Sequence, residues 1–182
     1  MKKSFFSFLF LLILKVSHAQ KMFIWCPQNI NPIPKIEQLK DVDIIVSIND
    51  SRLLSERIRN KCTSEKLTNS IFTIINKSYP SANIVLASKE NTPVKNKSVK
   101  IKINISAYYA TFTAPMWFAQ TAYSIHIADL RNAPVKESET DIRVDKKFWN
   151  VNGYSTAKNN LNKSYIEANV ELLDFISDKL NN

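Results

Sequence analysis

From Val99 to Ala107 apolar and polar side chains alternate without a break: Val99, Ile101, Ile103, Ile105 and Ala107 against Lys100, Lys102, Asn104 and Ser106. A period of two puts the two sets on opposite faces of a strand, so this stretch belongs to a sheet with one face covered and the other wet. A second strand-like run, Trp117 to Leu130, follows Thr113-Ala114-Pro115-Met116, and the pair reads as a long central hairpin. Its tip, Phe112 to Phe118, is apolar where hairpin loops ordinarily carry polar turn residues.

The flanking chain supplies what such a sheet needs for cover. Val42 to Ile48 alternates as a strand, and Asp50-Ser51 is placed to cap a short helical turn through Leu53, Leu54 and Ile58. Thr63 or Ser64 opens a helix with Leu67, Ile71, Ile74, Ile75 and Ser78 on one side, closed by Tyr79-Pro80. Ala82 to Ala87 is a short strand, and Ser88 to Lys97 a polar connection. After the hairpin, Arg131 to Thr140 reads as a second polar connection, in which Glu137 and Glu139, with Asp141 just beyond, are a solvated charge run. Ile142 to Gly153 has strand character, and the sole glycine, Gly153, sits near its end, where a positive φ costs nothing. A helix over Lys158 to Leu180 closes the chain, with Leu161, Tyr165, Ala168, Leu172, Phe175, Ile176 and Leu180 on its apolar side. The order strand, helix, short strand, hairpin, strand, helix predicts an α+β fold, a mostly antiparallel sheet with two helices packed on one face.

Residues 1–19 have the form of a secretory signal peptide: Lys2 and Lys3, then the apolar stretch Phe5 to Leu14, then Ser17-His18-Ala19 as a small-x-small cleavage site. Lys15 closes the apolar stretch well short of the roughly 20 residues a spanning helix needs. Residues 20–40, with Pro27, Pro32 and Pro34, read as an extended leader, and 41–182 as a single domain. The product is expected to be exported, periplasmic or secreted. Cys26 and Cys62 are then open to two readings, a disulfide closing a loop worth about 2–4 kcal/mol or two separate buried thiols. Met22-Phe23-Ile24-Trp25 is unlike the small-residue box that lipoprotein processing uses, so Cys26 is not expected to be lipidated.

Charge and motif content exclude several functions. The formal charge is +9, and +6 once Lys2, Lys3 and Lys15 are removed, but the basic residues are mostly dispersed Lys, so nucleic acid is not an expected partner. A single glycine excludes phosphate-cradling loops, which need several positions free of Cβ. One histidine, His126, remains after the signal, between Ile125 and Ile127 on the opposite side of its strand; no nucleophile and orienting acid are spaced to join it in a triad. Neither the two cysteines nor Asp41, Asp43 and Asp50 match a metal spacing. No catalytic residue, metal or cofactor is therefore expected.

One feature exceeds what folding requires. Phe112, Pro115, Met116, Trp117 and Phe118, with Tyr108 and Tyr109 just before, form the densest apolar and aromatic cluster outside the signal. Either this end of the hairpin folds over the core, or it is an exposed patch for a partner in the cell envelope or a membrane surface.

The strand Asp41-Val-Asp-Ile-Ile-Val-Ser-Ile48, the helix Leu67 to Tyr79, the long hairpin, and Trp149-Asn-Val-Asn-Gly-Tyr-Ser155 leading into the C-terminal helix resemble small Gram-negative periplasmic accessory lipoproteins. The kinds meant are the lipopolysaccharide-assembly, transport-auxiliary and YajG-like ones, from which this chain departs by lacking a lipobox. The resemblance implies a non-enzymatic helper that works through protein–protein contacts with another envelope protein. The alternatives are a small exported hydrolase, which needs groups converging on His126, and a carrier of an apolar ligand, which needs an enclosed cavity between helices and sheet.

Overall fold

The computed structural model describes residues 21–28, 33–36, 39, 42–52, 58–87 and 98–181. The expected signal segment, the helical turn at Leu53 and Leu54, the connection 88–97, and residues 20, 29–32, 37, 38 and 40 of the leader lie outside the described residues. The elements are β1 (Met22–Ile24), β2 (Asp43–Asp50), β3 (Ile58–Asn60), α1 (Ser64–Ser78), β4 (Asn83–Leu86), β5 (Ser98–Thr113), β6 (Met116–Asp129), β7 (Lys136–Trp149) and α2 (Tyr154–Asn181).

All seven strands form one sheet, with β5 at its centre. On one side β6 pairs antiparallel along the whole of β5, and β7 pairs antiparallel with β6. The other edge of β5 is shared. β2 runs parallel to Ser98 through Ile105, while β1 pairs antiparallel at Ala110 and Thr111. β4 lies outside β2 and β3 outside β1, both parallel. The sheet is thus α+β and mixed. Its two longest ladders are antiparallel, as expected of a hairpin core; of the parallel ones, β2–β4 comes from a crossover in which α1 returns the chain to the same end of the sheet.

The face made by Ile44, Val46, Ile101, Ile103, Ile105, Tyr123, Ile125 and Ile127 is buried, with α1 over β2 and α2 over β5 to β7. Burying one such side chain contributes about 1.5–3 kcal/mol. α1 begins at Thr63, whose side chain accepts from the backbone N–H of Lys66, and ends as Tyr79 caps the carbonyl of Ile75. α2 follows Gly153, which has φ of +56°, and Ala157 N–H donates to the Gly153 carbonyl. Tyrosines join the layers: Tyr79 Oη donates to the Leu173 carbonyl at 3.1 Å, Tyr165 bonds Ser70 at 2.8 Å, and Asn169 bonds Tyr123 at 3.1 Å. Burial pushes the hydroxyls of Tyr79, Tyr108, Tyr123 and Tyr165 well above their ordinary range, so they stay neutral.

Three expectations need correction. Ile58 lies in a strand rather than a helical turn, because β1 offers it a parallel edge that no local pattern announces. Met22 to Ile24, read as leader, is that strand. Glu137 to Thr140 belongs to β7 and not to a connection; its helix-side residues are Ser138 and Thr140, so no apolar alternation marks it. Strand β5 also outruns the alternating stretch, with a bulge at Ser106 between Ile105 and Ala107. The extra residue reverses the parity, and beyond it Tyr108 and Ala110 turn inward.

Cys26 and Cys62 are joined as a disulfide, their Cα atoms 4.6 Å apart. The bridge follows directly on the β1–β3 ladder, where Lys61 N–H donates to the Ile24 carbonyl at 2.9 Å. Of the two readings, the separate thiols are set aside.

Candidate functional site

The bulge decides how the hairpin tip is built. β5 and β6 are joined by Ala114-Pro115 alone, so the residues around them alternate between faces. Phe112 and Trp117 are cross-strand partners on the helix face, whereas Tyr109, Met116 and Phe118 lie on the open face. Trp117 is only 4% exposed. Its ring packs on Phe23, Phe112 and Tyr154 at centroid distances of 5.6, 5.1 and 5.7 Å, and its Nε1 donates to Asn150 Oδ1 at 3.0 Å. Trp117 therefore closes the core at this end.

Its neighbours divide. Phe112 is 36% exposed and Pro115 lies open on the turn, while Tyr109, Met116 and Phe118 are half-buried, the Tyr109 and Phe118 rings 6.4 Å apart. The structure adds three residues that the hairpin reading missed: Trp149, Val151 and Tyr154, exposed by 65%, 78% and 56%. They reach the same end because Trp149 pairs with Met116 and Asn150 N–H donates to the Pro115 carbonyl at 3.3 Å. The signal was present in the sequence: Trp149 to Tyr154 carries large apolar side chains through a turn ending in Gly153. Such groups in a turn are either packed or on offer.

The open face away from the tip is chemically different. Ser47 and Asn49 of β2, Lys102 and Asn104 of β5, Ser124 and His126 of β6, and Glu139 and Asp141 of β7 line a groove of about 540 Å³. His126 sits between Lys102 on one neighbouring strand and Glu139 on the other. Its Nε2 lies 3.7 Å from Glu139 and 3.9 Å from Glu137, beyond hydrogen-bond range. Asn49 and Asn104 are bonded to each other at 2.9 Å. Among the described residues His126 is paired with carboxylates and is bonded to no hydroxyl, so the arrangement lacks the nucleophile–base hydrogen bond of a triad. No group of three or more His, Cys, Asp or Glu among the described residues is placed to hold a metal ion. The concavity is lined mainly by polar residues and lies on the uncovered side of the sheet, opposite the layer where an apolar-ligand carrier needs its cavity.

No protein-family model matches this chain, and no curated protein matches its sequence. Solved structures resemble it in chain path. The hypothetical protein CT253 from Chlamydia trachomatis aligns with TM-score 0.48 and 12% identity over 76% of this chain and 96% of its own. An uncharacterized protein aligns with TM-score 0.47 and 8% identity over 79% and 99%. Lipoprotein GNA1162 from Neisseria meningitidis aligns with TM-score 0.40 and 8% identity over 78% and 99%. Likenesses at this level carry no chemistry with them.

Proposed function

We propose that this chain is an exported, non-enzymatic accessory protein of the bacterial cell envelope that acts by binding another envelope protein at the hairpin-tip end. The observation that carries the reading is the convergence of Phe112, Trp149, Val151 and Tyr154 at one end of a domain whose core is otherwise closed. Holding such groups in water is costly at about 25 cal/mol per Å² of apolar surface, and a partner that covers them recovers this. The disulfide supports the oxidising compartment. Among the described residues no helix is long and apolar enough to cross a membrane.

The rim gives the partner a chemistry. Lys21, Lys147 and Lys158 fall in the segments that make this end, alongside Asp145, while Lys146 there is paired with Glu167. The expected partner surface is an apolar pocket with acidic residues around it. A photo-reactive residue placed at Val151 is expected to give one discrete protein adduct in intact cells, lost on Trp149→Ser with Tyr154→Ser while the protein remains folded. Adducts confined to lipid, together with flotation on anionic phospholipid vesicles that the same two changes abolish, sink the protein-partner reading.

A further inference from the structure

β7 is an edge strand 14 residues long. One side is hydrogen-bonded to β6; among the described residues no other backbone pairs with its outer side between Glu139 and Trp149. Such an edge is a template for another strand unless its side chains forbid pairing. The order of charges along this one is specific. On the open face run Glu139, Asp141, Arg143, Asp145, Lys147 and Trp149, a sequence with acids toward one end and a base toward the other.

We propose that β7 pairs antiparallel with β7 of a second copy of this chain, about a twofold axis at Val144, so that one sheet runs continuously through two subunits. A twofold axis normal to the sheet sets each residue opposite a residue of its own face, which leaves few registers to consider. An axis at Thr140 opposes Glu139 to Asp141, one at Asp141 opposes Glu137 to Asp145, and one at Ile142 opposes Glu139 to Asp145. An axis at Arg143 opposes Asp141 to Asp145, and one at Asp145 opposes Arg143 to Lys147. Axes at Lys146 and Lys147 set a lysine against itself, and one at Phe148 leaves only the last few residues to pair. Of the axes from Thr140 to Lys147, only the one at Val144 brings no like charges together. It opposes Asp141 to Lys147 and Arg143 to Asp145, each twice by symmetry, and leaves Glu139 against the neutral Trp149. On the helix side Val144 meets Val144 and Thr140 meets Phe148, pairings that suit a sheet, while Ile142 meets the aliphatic stem of Lys146. The inward Lys146, which would otherwise guard the edge, is already neutralised by Glu167 of α2. An edge protected only against pairing is served by a single sign of charge; this one alternates in sign at the spacing its own reflection requires. The backbone ladder supplies the affinity and the charges select the register.

The pairing does not depend on what docks at the hairpin tip. Sedimentation of the purified protein from micromolar to sub-millimolar concentration tests it. The wild type is expected to be a dimer in reversible exchange with monomer. Lys147→Asp alone and Asp141→Lys alone each place like charges at two symmetric positions and are expected to weaken the dimer at least tenfold. The double variant carrying both changes restores opposite pairs and is expected to recover wild-type association to within threefold. Both side chains are exposed, so the variants should keep their fold, which circular dichroism checks. A monomer throughout the range, a dimer indifferent to the single changes, or a double variant no better than the singles overturns the proposal.

Discussion

Two strands of this sheet end in the same three-residue device, and the two copies sit in different surroundings. After β2, Arg52 donates its backbone N–H and Nε to Asp50 Oδ1 and its Nη2 to Asp50 Oδ2, at 3.2, 2.7 and 2.6 Å. After β6, Arg131 makes the same three bonds to Asp129 at 3.0, 2.9 and 2.7 Å. The first clamp is sealed: the Arg52 and Asp50 side chains are 4% and 5% exposed, and Arg52 lies over the Tyr108 ring and reaches its carbonyl at 3.5 Å. The second stands partly in water and reaches the Leu180 carbonyl at 2.9 Å, tying the end of β6 to the last turn of α2. A third Asp–Arg pair, Arg143 with Asp145 on β7, is open to solvent. Local sequence sets the clamp's geometry; burial sets what losing it costs, because an ion stripped of its partner is penalised only where water cannot replace that partner.

The largest test of that comparison is Arg52→Met. It leaves Asp50 buried without a counterion, and denaturant unfolding at pH 7 is expected to show a loss of about 3–5 kcal/mol. Arg131→Met should cost about 1–2 kcal/mol, since Asp129 can recruit water. Arg143→Ala should move stability by no more than about 0.5 kcal/mol. If Arg131→Met proves as costly as Arg52→Met, burial is not the deciding variable.

The pH dependence sharpens the same contrast. Burial raises the Asp50 carboxyl, but hydrogen bonds from Arg52 and Ser64 and the Arg52 charge together hold it below its ordinary range. At Asp129 the Arg131 hydrogen bond is the main cause of a shift in the same direction. An acid whose folded value is lowered stabilises above its unfolded value, here 3.8, and that contribution disappears as pH falls through the folded value. In Arg52→Met only burial and the Ser64 bond remain, and burial is the larger. The Asp50 carboxyl is then raised above its unfolded value, destabilising at neutral pH and harmless once protonated. The penalty of Arg52→Met, measured against wild type by urea unfolding, should therefore shrink between pH 7 and pH 4. A penalty that grows toward acid contradicts this sign.

Much of the sheet was legible because alternation has a direct cause: Val99 to Ile105 needs one dry face, and nothing else in the chain fits it so well. What stayed hidden depended on partners distant in sequence. The bulge at Ser106 adds one residue and sends Tyr109 outward and Tyr108 inward, a reversal that no run of residue types displays. The acidic start of β7 resembles a loop because the face it turns to α2 is made by Ser138 and Thr140. The apolar tip was recognisable, yet its membership was not: Trp117 belongs to the core through Phe23, on a strand thought to be leader, while Trp149, Val151 and Tyr154 join it across β6 and β7.

The shared edge of β5 fixes where the chain enters the fold. β1 runs against β5 with Met22 beside Thr111 and Phe23 beside Ala110, so the polypeptide arrives from the hairpin-tip side, and the Lys21 carbonyl is held there by Thr111. Lys21, where β1 is entered, is therefore held beside Phe112, at the same end as the exposed Trp149, Val151 and Tyr154, and not at the far end of the domain.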